Sequence, residues 1–305
     1  MLACRRWGNC PSFPCALIRW ARPRRGMLLV VTCLAALVPS LALTSSAQGP
    51  EAPGYRFGVF PYIPALTIDR IFGPIAGSFA AELARPVYLK TRSTFERFAE
   101  QLEEQTYDII FVHPFLYVEA ADRHDYVPLA LIEGELTAVA LVSAGQPWRT
   151  WSDLAGKVVA TPPALAAVSE LARWALLDAG LVPQVDTILR PYQTKMGCLQ
   201  AVNIGEADAC VLPRFVLPQI SDIGEARLRV LAESPAVPSL LFAAHRRLPR
   251  TERAKRLARI LSWPHTNEGR AILATGAWPG FIAAEDADYA GVRSLGARLR
   301  MRAER

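Results

Sequence analysis

The sequence lacks the short motifs on which most enzyme chemistry depends. It contains no Gly-x-Ser-x-Gly nucleophile elbow, no His-Glu-x-x-His helix, no P-loop and no dinucleotide-binding fingerprint. Histidine is also scarce, with 4 residues in a chain of 305. Because hydrolases and transferases need such groups, we expect that the protein is not an enzyme and that it uses no cofactor.

Beyond its N-terminal segment, the chain also has no excess of positive or negative charge. Residues 1–26 contain six arginines and no acidic residue, and they account for the whole formal net charge of +6. The rest of the chain has 28 basic and 28 acidic residues. Its charge therefore gives no support for nucleic-acid binding or for adsorption to an anionic membrane.

The N-terminal segment has the composition of an export signal. Residues 27–43 are almost wholly apolar, and Ser45, Ser46 and Ala47 are small residues suited to cleavage. This pattern predicts a signal peptide over residues 1–47 and a periplasmic protein. An uncleaved signal that anchors the chain is the alternative, although the apolar run is short for a membrane span.

Cysteine is nearly absent from the part of the chain that remains after cleavage. Of the 6 cysteines, only Cys198 and Cys210 lie beyond residue 47. An even pair in an oxidising compartment predicts a disulfide between them. Two buried free thiols that pack as small apolar groups are the alternative.

The chain after residue 47 shows patterns typical of strands alternating with patterns typical of helices. Residues 109–112 form a short apolar run typical of a strand buried on both faces. Residues 68–83 instead place apolar side chains three or four apart, which is typical of an amphipathic helix. Repeated along the chain, this alternation predicts an α/β fold with mainly parallel sheets flanked by helices.

Two extended runs, residues 136–143 and 238–244, are placed to connect two such sheets. We therefore predict two lobes around a cleft. Residues 53–136 and 238–305 would form the first lobe, and residues 137–237 the second. The chain would cross between the lobes twice, which makes a hinged clamp.

His113 follows the apolar run of residues 109–112 directly, and Pro114 follows His113. Proline suits the first position of a helix, so His113 is predicted to cap a helix at the carboxyl end of a strand. Open α/β sheets bind ligands at that edge, and the positive end of the helix dipole favours an anion there. We predict that His113 contacts ligand. A structural histidine is the alternative.

Other polar residues are predicted to lie at the rims of the cleft. Tyr62 follows the first strand, and Ser93 and Thr94 follow the second, although Ser93 with Glu96 also fits a capping box. Arg214 follows a strand of the second lobe, where its guanidinium could bind an oxyanion through two parallel hydrogen bonds. A solvated arginine at a helix start is the alternative.

Four pieces of the chain stand in the order and form typical of a known family: residues 107–114, 151–157, 205–211 and 268–289. Together they resemble the phosphonate-binding, PhnD-like branch of the periplasmic solute-binding proteins of ABC transporters. The similarity extends over about residues 55–298. It implies a two-lobe type II periplasmic-binding fold, a ligand in the interlobe cleft and a membrane permease as partner. It also implies ligand contacts at Tyr192, Gln193 and Thr194, in a turn that family members use for this purpose.

The sequence departs from that family at the ligand-binding helix start. Phosphonate-binding members carry a Ser-Thr-Ser-Gly type segment there, whereas this chain reads Thr-Pro-Pro-Ala-Leu-Ala-Ala from Thr161. Only Thr161 keeps a hydroxyl, and two prolines remove amide donors. Phosphonate itself is therefore doubtful as the ligand.

We accordingly predict an exported, monomeric solute-binding protein that captures a small, anionic ligand and delivers it to an ABC permease. A periplasmic sensor or a metal-binding clamp that feeds a signalling or redox partner is the alternative. In the metal-binding version, Tyr62, His113 and Tyr192 would meet across the cleft as ligands. We predict no metal site.

Overall fold

The computed structural model describes residues 54–83, 85–220 and 228–303. All of them belong to one compact unit, Pro50–Arg305. The predicted signal peptide, residues 1–47, lies outside the described residues. Within them, no helix is both long enough and apolar enough to cross a membrane.

Strands and helices alternate along most of the chain, as the sequence pattern predicts. The strands are β1 (Tyr55–Val59), β2 (Val87–Lys90), β3 (Ile109–Val112), β4 (Tyr126–Ile132), β5 (Glu135–Leu136), β6 (Ala138–Ser143), β7 (Val158–Thr161), β8 (Ile188–Pro191), β9 (Ala209–Pro213), β10 (Leu228–Glu233), β11 (Val237–Pro238), β12 (Leu241–His245) and β13 (Phe281–Ala283). The helices are α1 (Ala65–Leu83), α2 (Phe95–Glu103), α3 (Pro114–Arg123), α4 (Ala167–Asp178), α5 (Lys195–Asn203), α6 (Leu217–Ile220), α7 (Arg250–Leu261), α8 (Asn267–Gly276) and α9 (Ala290–Ala303).

The strands form two large sheets and one small one. The first sheet has six strands in the order β13-β4-β12-β3-β1-β2, and the second has five in the order β10-β6-β9-β7-β8. Strands β5 and β11 pair with each other where the chain passes between the large sheets. The α/β fold with helix-flanked sheets is confirmed.

Strand direction differs from the expectation of mainly parallel sheets. Among the described strands, only the pairs β1–β2, β1–β3, β7–β8 and β7–β9 are parallel. β6 and β12 enter their sheets after a crossing from the other sheet rather than after a covering helix, and they run antiparallel to their neighbours β9 and β3. Both sheets are therefore mixed.

Strand β3 forms the centre of the first sheet, and all four of its residues are buried. Phe111 of this strand lies at the middle of an aromatic cluster. Its ring centroid is 4.9 Å from that of Phe72 on α1, 4.8 Å from Phe242 on β12 and 5.6 Å from Trp278. Burial of these large rings fixes the strand, and so fixes the residue that follows its carboxyl end.

A disulfide joins α5 to β9 in the second sheet's layer. Cys198 and Cys210 are both buried, with their Cα atoms 5.5 Å apart. The separation suits a disulfide, and it arises because α5 packs back over the strand that it precedes. The structure therefore contains the predicted pairing.

Candidate ligand-binding site

His113 lies where the sequence places it, as the cap of α3 directly after β3. Its Nδ1 accepts a hydrogen bond from the backbone N–H of Leu116 at 3.2 Å, and Pro114 occupies the first turn. The side chain is 3% exposed. The backbone of Leu165, in the loop that follows β7 of the second sheet, lies close enough to the ring to raise its pKa. One side chain thus contacts elements of both sheets.

These contacts define the protonation state of His113. Because Nδ1 accepts a hydrogen bond, the ring proton of the neutral form lies on Nε2. Burial lowers the pKa of His113 to about 4, and the interaction with the Leu165 backbone offsets only part of that effect. The imidazole is therefore neutral near pH 7. Near pH 7, His113 can therefore contact a ligand only as a neutral group.

An aromatic wall surrounds His113 on the first sheet's edge. The ring of Tyr62 is stacked on that of Phe60 with centroids 4.6 Å apart, and Phe60 meets His113 edge-on at 5.4 Å. Burial raises the pKa of Tyr62 above its usual range, so its hydroxyl stays protonated. Among the described residues this hydroxyl has no hydrogen-bond partner. It remains available to donate to a ligand.

The helix start after β2 differs from the prediction by one residue. Thr94, not Ser93, is the cap of α2, and its hydroxyl accepts the N–H of Arg97 at 3.2 Å. Glu96 is consequently the second helical residue, one position short of a capping box with Thr94. Both Ser93 and Thr94 are exposed at this edge. A threonine hydroxyl that accepts from the backbone can still donate its own hydrogen.

The second sheet presents Thr161 at the end of β7. The side chain is 3% exposed, and its hydroxyl has no hydrogen-bond partner among the described residues. Successive strand residues point to opposite faces. Val159 packs in the same core as Val168 on α4, so Thr161 points to the α4 side as well.

The two prolines that follow Thr161 do not occupy the first turn of α4. That helix starts at Ala167 after the cap residue Ala166, which makes no side-chain capping bond. Within the described part of the chain, the amides of Ala167 and Val168 have no acceptor. Compared with a Ser-Thr-Ser-Gly type segment, this helix start lacks hydroxyl groups but still offers two amide donors.

A charged pair outside the predicted set of residues supports this loop from the α4 side. Arg173 donates to the carbonyl of Ala164 at 2.7 Å and lies 2.7 Å from a carboxylate oxygen of Glu170. Burial raises the pKa of Glu170, while Arg173 opposes that rise. The guanidinium is thus already engaged by a carboxylate and a carbonyl. A sequence signal existed, namely the i, i+3 spacing of the two charges on a helix.

The predicted turn after β8 lies beside Thr161. The backbone N–H of Tyr192 donates to the carbonyl of Thr161 at 2.7 Å, which brings these two residues together. Thr194 caps α5 by accepting the N–H of Gly197 at 3.0 Å. Gln193 and Thr194 are exposed, and the Tyr192 hydroxyl lies 3.5 Å from a carboxylate oxygen of Glu206.

Arg214 follows β9 at the same edge of the second sheet. Its backbone N–H donates to the carbonyl of Thr137 at 2.9 Å, in the first crossing segment. The side chain is 57% exposed and is ion-paired with Glu233 of β10. The sequence predicted the position of Arg214 but not its carboxylate partner. Lys195, the first residue of α5, is a second exposed cation at this edge that the prediction missed.

A cavity of about 610 Å³ lies between α3, α4 and α9. Its charged lining residues are Glu119, Asp122, Arg123, Glu170 and Arg293. None of the predicted ligand residues lines it, although its wall includes Phe115, whose ring centroid is 6.4 Å from that of His113. In the part of the chain that the structure describes, no three His, Cys, Asp or Glu side chains are grouped to hold a metal ion.

Residues 57–289 match a family model described as the phosphonate periplasmic substrate-binding protein of ABC transporters. No curated protein sequence matches the chain. The matched range begins within β1 and includes all other strands of both large sheets and every candidate ligand residue named above.

Solved structures with the same fold include three transport proteins. PhnD1 of Prochlorococcus marinus, in complex with methylphosphonate, is 15% identical with a TM-score of 0.70, covering 81% of this chain and 98% of its own. A binding protein of a Pseudomonas aeruginosa phosphonate ABC transporter is 14% identical with a TM-score of 0.68, covering 81% and 87%. The aliphatic sulphonate-binding protein SsuA of Escherichia coli is 17% identical with a TM-score of 0.58, covering 83% and 94%. At these identities the likeness establishes the type II periplasmic-binding fold.

Proposed function

Since the chain belongs to the family of periplasmic substrate-binding proteins of phosphonate ABC transporters, we propose that its ligand is a small organic oxyanion. The ligand is held between the two large sheets and delivered to the transporter's membrane permease. The observation that carries this proposal is the contact of His113, at the edge of the first sheet, with the Leu165 backbone of the second. A ligand beside that contact touches both sheets.

The residues around this contact supply neutral hydrogen-bond donors. Tyr62 and Thr161 have hydroxyls without protein partners, and the amides of Ala167 and Val168 have no acceptor. An oxyanion accepts from such groups and replaces the water that each would lose on closure. Residues at the rim complete the proposed ligand set: the half-buried Tyr192 and the exposed Ser93, Thr94, Gln193, Thr194 and Arg214.

Movement of the two sheets gives the capture mechanism. Residues 53–136 with 238–305 form the proposed first lobe, and residues 137–237 the second. The crossings are short, and Ser234 and Ala138 tie them together through hydrogen bonds of 2.8 and 3.0 Å. A ligand that contacts both lobes stabilises the closed form by its differential affinity for that form.

Export and a monomeric state belong to the same proposal. Cleavage of the signal over residues 1–47 would release the protein into the periplasm, where a free clamp can meet the permease. N-terminal sequencing of periplasmic protein and its mass in solution test these two points. A retained N-terminus would instead indicate the anchored form.

A thermal-shift screen on protein purified from the periplasm tests the proposed function. The panel contains methylphosphonate, methanesulfonate, acetate, inorganic phosphate, sulfate and the amino acids arginine and glutamine. A ligand at 100 times its Kd adds about 2.7 kcal/mol to the free energy of unfolding. We expect an organic oxyanion to give such a shift. Stabilisation by the amino acids alone would contradict the proposal.

A further inference from the structure

The charge around His113 restricts the ligand further, an inference that rests on the proposed function. We propose that the bound ligand carries one negative charge on an apolar organic group. Organosulfonates and singly charged phosphonates belong to this class. Doubly charged phosphonates and free phosphate do not.

Among the described residues, none at the centre of the site is a cation that could balance a second charge. His113 is buried and neutral near pH 7, and its Nδ1 accepts the Leu116 N–H. The proposed donors are dipoles without net charge: the hydroxyls of Tyr62 and Thr161 and the amides that start α4. Dipoles suffice for one delocalised charge, whereas a second buried charge without a counter-ion is costly to desolvate.

Cations near the site have other partners or lie in solvent. Arg173 is bound by Glu170 and a carbonyl, and Arg214 by Glu233. Charged side chains on the other elements around the site include Arg92 after β2, Glu96 and Arg97 on α2, Glu119 on α3 and Lys195 on α5. Arg92 donates to the Thr91 carbonyl and to Gln101. Arg97 and Lys195 are exposed, so that water and salt screen their effect on a buried anion.

The neighbouring cavity adds negative rather than positive charge. Its lining includes three carboxylates, those of Glu119, Asp122 and Glu170, against two guanidinium groups, those of Arg123 and Arg293. Arg293 is in turn held by Asp122 at 2.8 Å and by Asp286 at 2.8 Å. This surrounding field opposes the accumulation of charge on a ligand beside Phe115.

The walls of the site favour an apolar group on the ligand. On the first sheet, Tyr62 and Phe115 are half-buried aromatic side chains beside His113. On the second, Leu165 is 38% exposed and is preceded by two prolines and an alanine. These surfaces can be covered by an alkyl or aryl substituent, which gains affinity from the apolar area removed from water.

A matched pair of ligands tests the charge. Methanesulfonate and methylphosphonate have the same methyl group and the same three oxygens. The sulfonate keeps one charge at every pH of interest, whereas the phosphonate gains a second charge above its second pKa. Calorimetric titration at pH 6 and pH 8 should give sulfonate Kd values within about threefold of each other. The phosphonate should lose about tenfold in affinity for each pH unit above its second pKa.

A second pair, phenylmethanesulfonate and methanesulfonate, tests the apolar walls. We expect the phenyl group to raise affinity by at least about tenfold. Equal or weaker binding of the phenyl ligand would overturn the assignment of an apolar substituent.

A charge-adding variant makes the test independent of ligand ionisation. Leu165→Lys places a cation at the site while keeping the backbone that contacts His113. It should improve methylphosphonate binding at pH 8 at least about tenfold more than methanesulfonate binding. Val185→Lys is the matched control, since Val185 is 78% exposed and precedes the amino end of β8, away from the cleft edge.

Two results separate this inference from the proposed function. Methylphosphonate that binds the parent protein at pH 8 as tightly as at pH 6 would overturn the single-charge inference alone. It would leave oxyanion capture intact. Failure of every sulfonate and phosphonate to bind at both pH values would overturn the proposed function and this inference with it.

Discussion

The imidazole of His113, directly after β3 of the first sheet, interacts with the backbone of Leu165, in a loop of the second sheet. The same ring accepts the Leu116 N–H and so caps the helix that it precedes. One neutral side chain thus orders a helix start and joins the two sheets in this conformation. His113 therefore has its role at the site as a buried neutral group and not as a cation.

Stability should depend on pH through His113. Its pKa is about 6.5 in an unfolded chain and about 4 in the fold. The unfolded state therefore takes up the proton first as pH falls. The contribution of neutral His113 is complete above pH 6.5 and is lost between pH 6.5 and 4, on the order of 3 kcal/mol. Urea unfolding across this range measures the loss.

The variant His113→Asn isolates this effect. Asparagine is a favourable helix cap and does not titrate, so the helix start is preserved. His245 also has a lowered pKa, and it contributes to both proteins alike. The difference in unfolding free energy between parent and variant should therefore change between pH 6.5 and 4. A constant difference would show that His113 is not buried as a neutral group.

The disulfide should account for a measurable part of the stability. Removing it with Cys198→Ala and Cys210→Ala together should lower the unfolding free energy by about 3 kcal/mol, since the bond closes a loop of 12-residue separation. Urea unfolding of parent and double variant gives this value. Thiol counting on denatured, unreduced periplasmic protein is the check, and two free thiols per chain would contradict the bond.

Arg214 should assist ligand binding from the rim. Arg214→Ala is expected to weaken binding of the screened oxyanion about tenfold, as for loss of a charge-assisted hydrogen bond. Glu233→Gln should strengthen it by freeing the guanidinium. Arg246→Ala is the control, because this arginine has a 64% exposed side chain and follows β12 at the sheet edge opposite His113. Unchanged affinity in Arg214→Ala would remove Arg214 from the site.

Thr94 should act on stability as a helix cap. Thr94→Ala removes the acceptor for the Arg97 N–H and should lower the unfolding free energy by about 1 kcal/mol. Thr94→Ser keeps the hydroxyl and should stay within a few tenths of a kcal/mol of the parent. Ser93→Ala serves as the positional control. A larger loss there than at Thr94 would place the cap at Ser93 instead.

Short sequence patterns correctly predicted the strands and helices whose formation depends on neighbouring residues. The apolar run before His113, with proline after it, was sufficient to predict a strand and a capped helix. The sequence resemblance to the periplasmic binding family also proved correct, because it rests on ordered motifs along most of the chain. The helix start at Thr94 was missed by one residue, since Ser93 and Thr94 are equally good caps on sequence alone.

Features that depend on distant contacts could not be predicted. The antiparallel entry of β6 and β12 follows from how the chain crosses between sheets, which no local pattern specifies. The neutral state of His113 depends on burial and on Leu165, which belongs to the other sheet. Likewise, the partner of Arg214 is Glu233 on β10, which lies 19 residues further along the chain. No helix spacing relates the two residues.

A negative charge introduced at Leu165 tests most directly whether an anion binds between the two sheets. Leu165→Asp introduces a carboxylate beside the His113 contact, where repulsion from a bound anion is strong. Val185→Asp makes the same change at a remote, 78% exposed site. Calorimetric titration with methanesulfonate should show at least tenfold weaker binding for Leu165→Asp and a Kd within twofold of the parent for Val185→Asp. Equal affinity in the two variants would contradict a ligand site at this place.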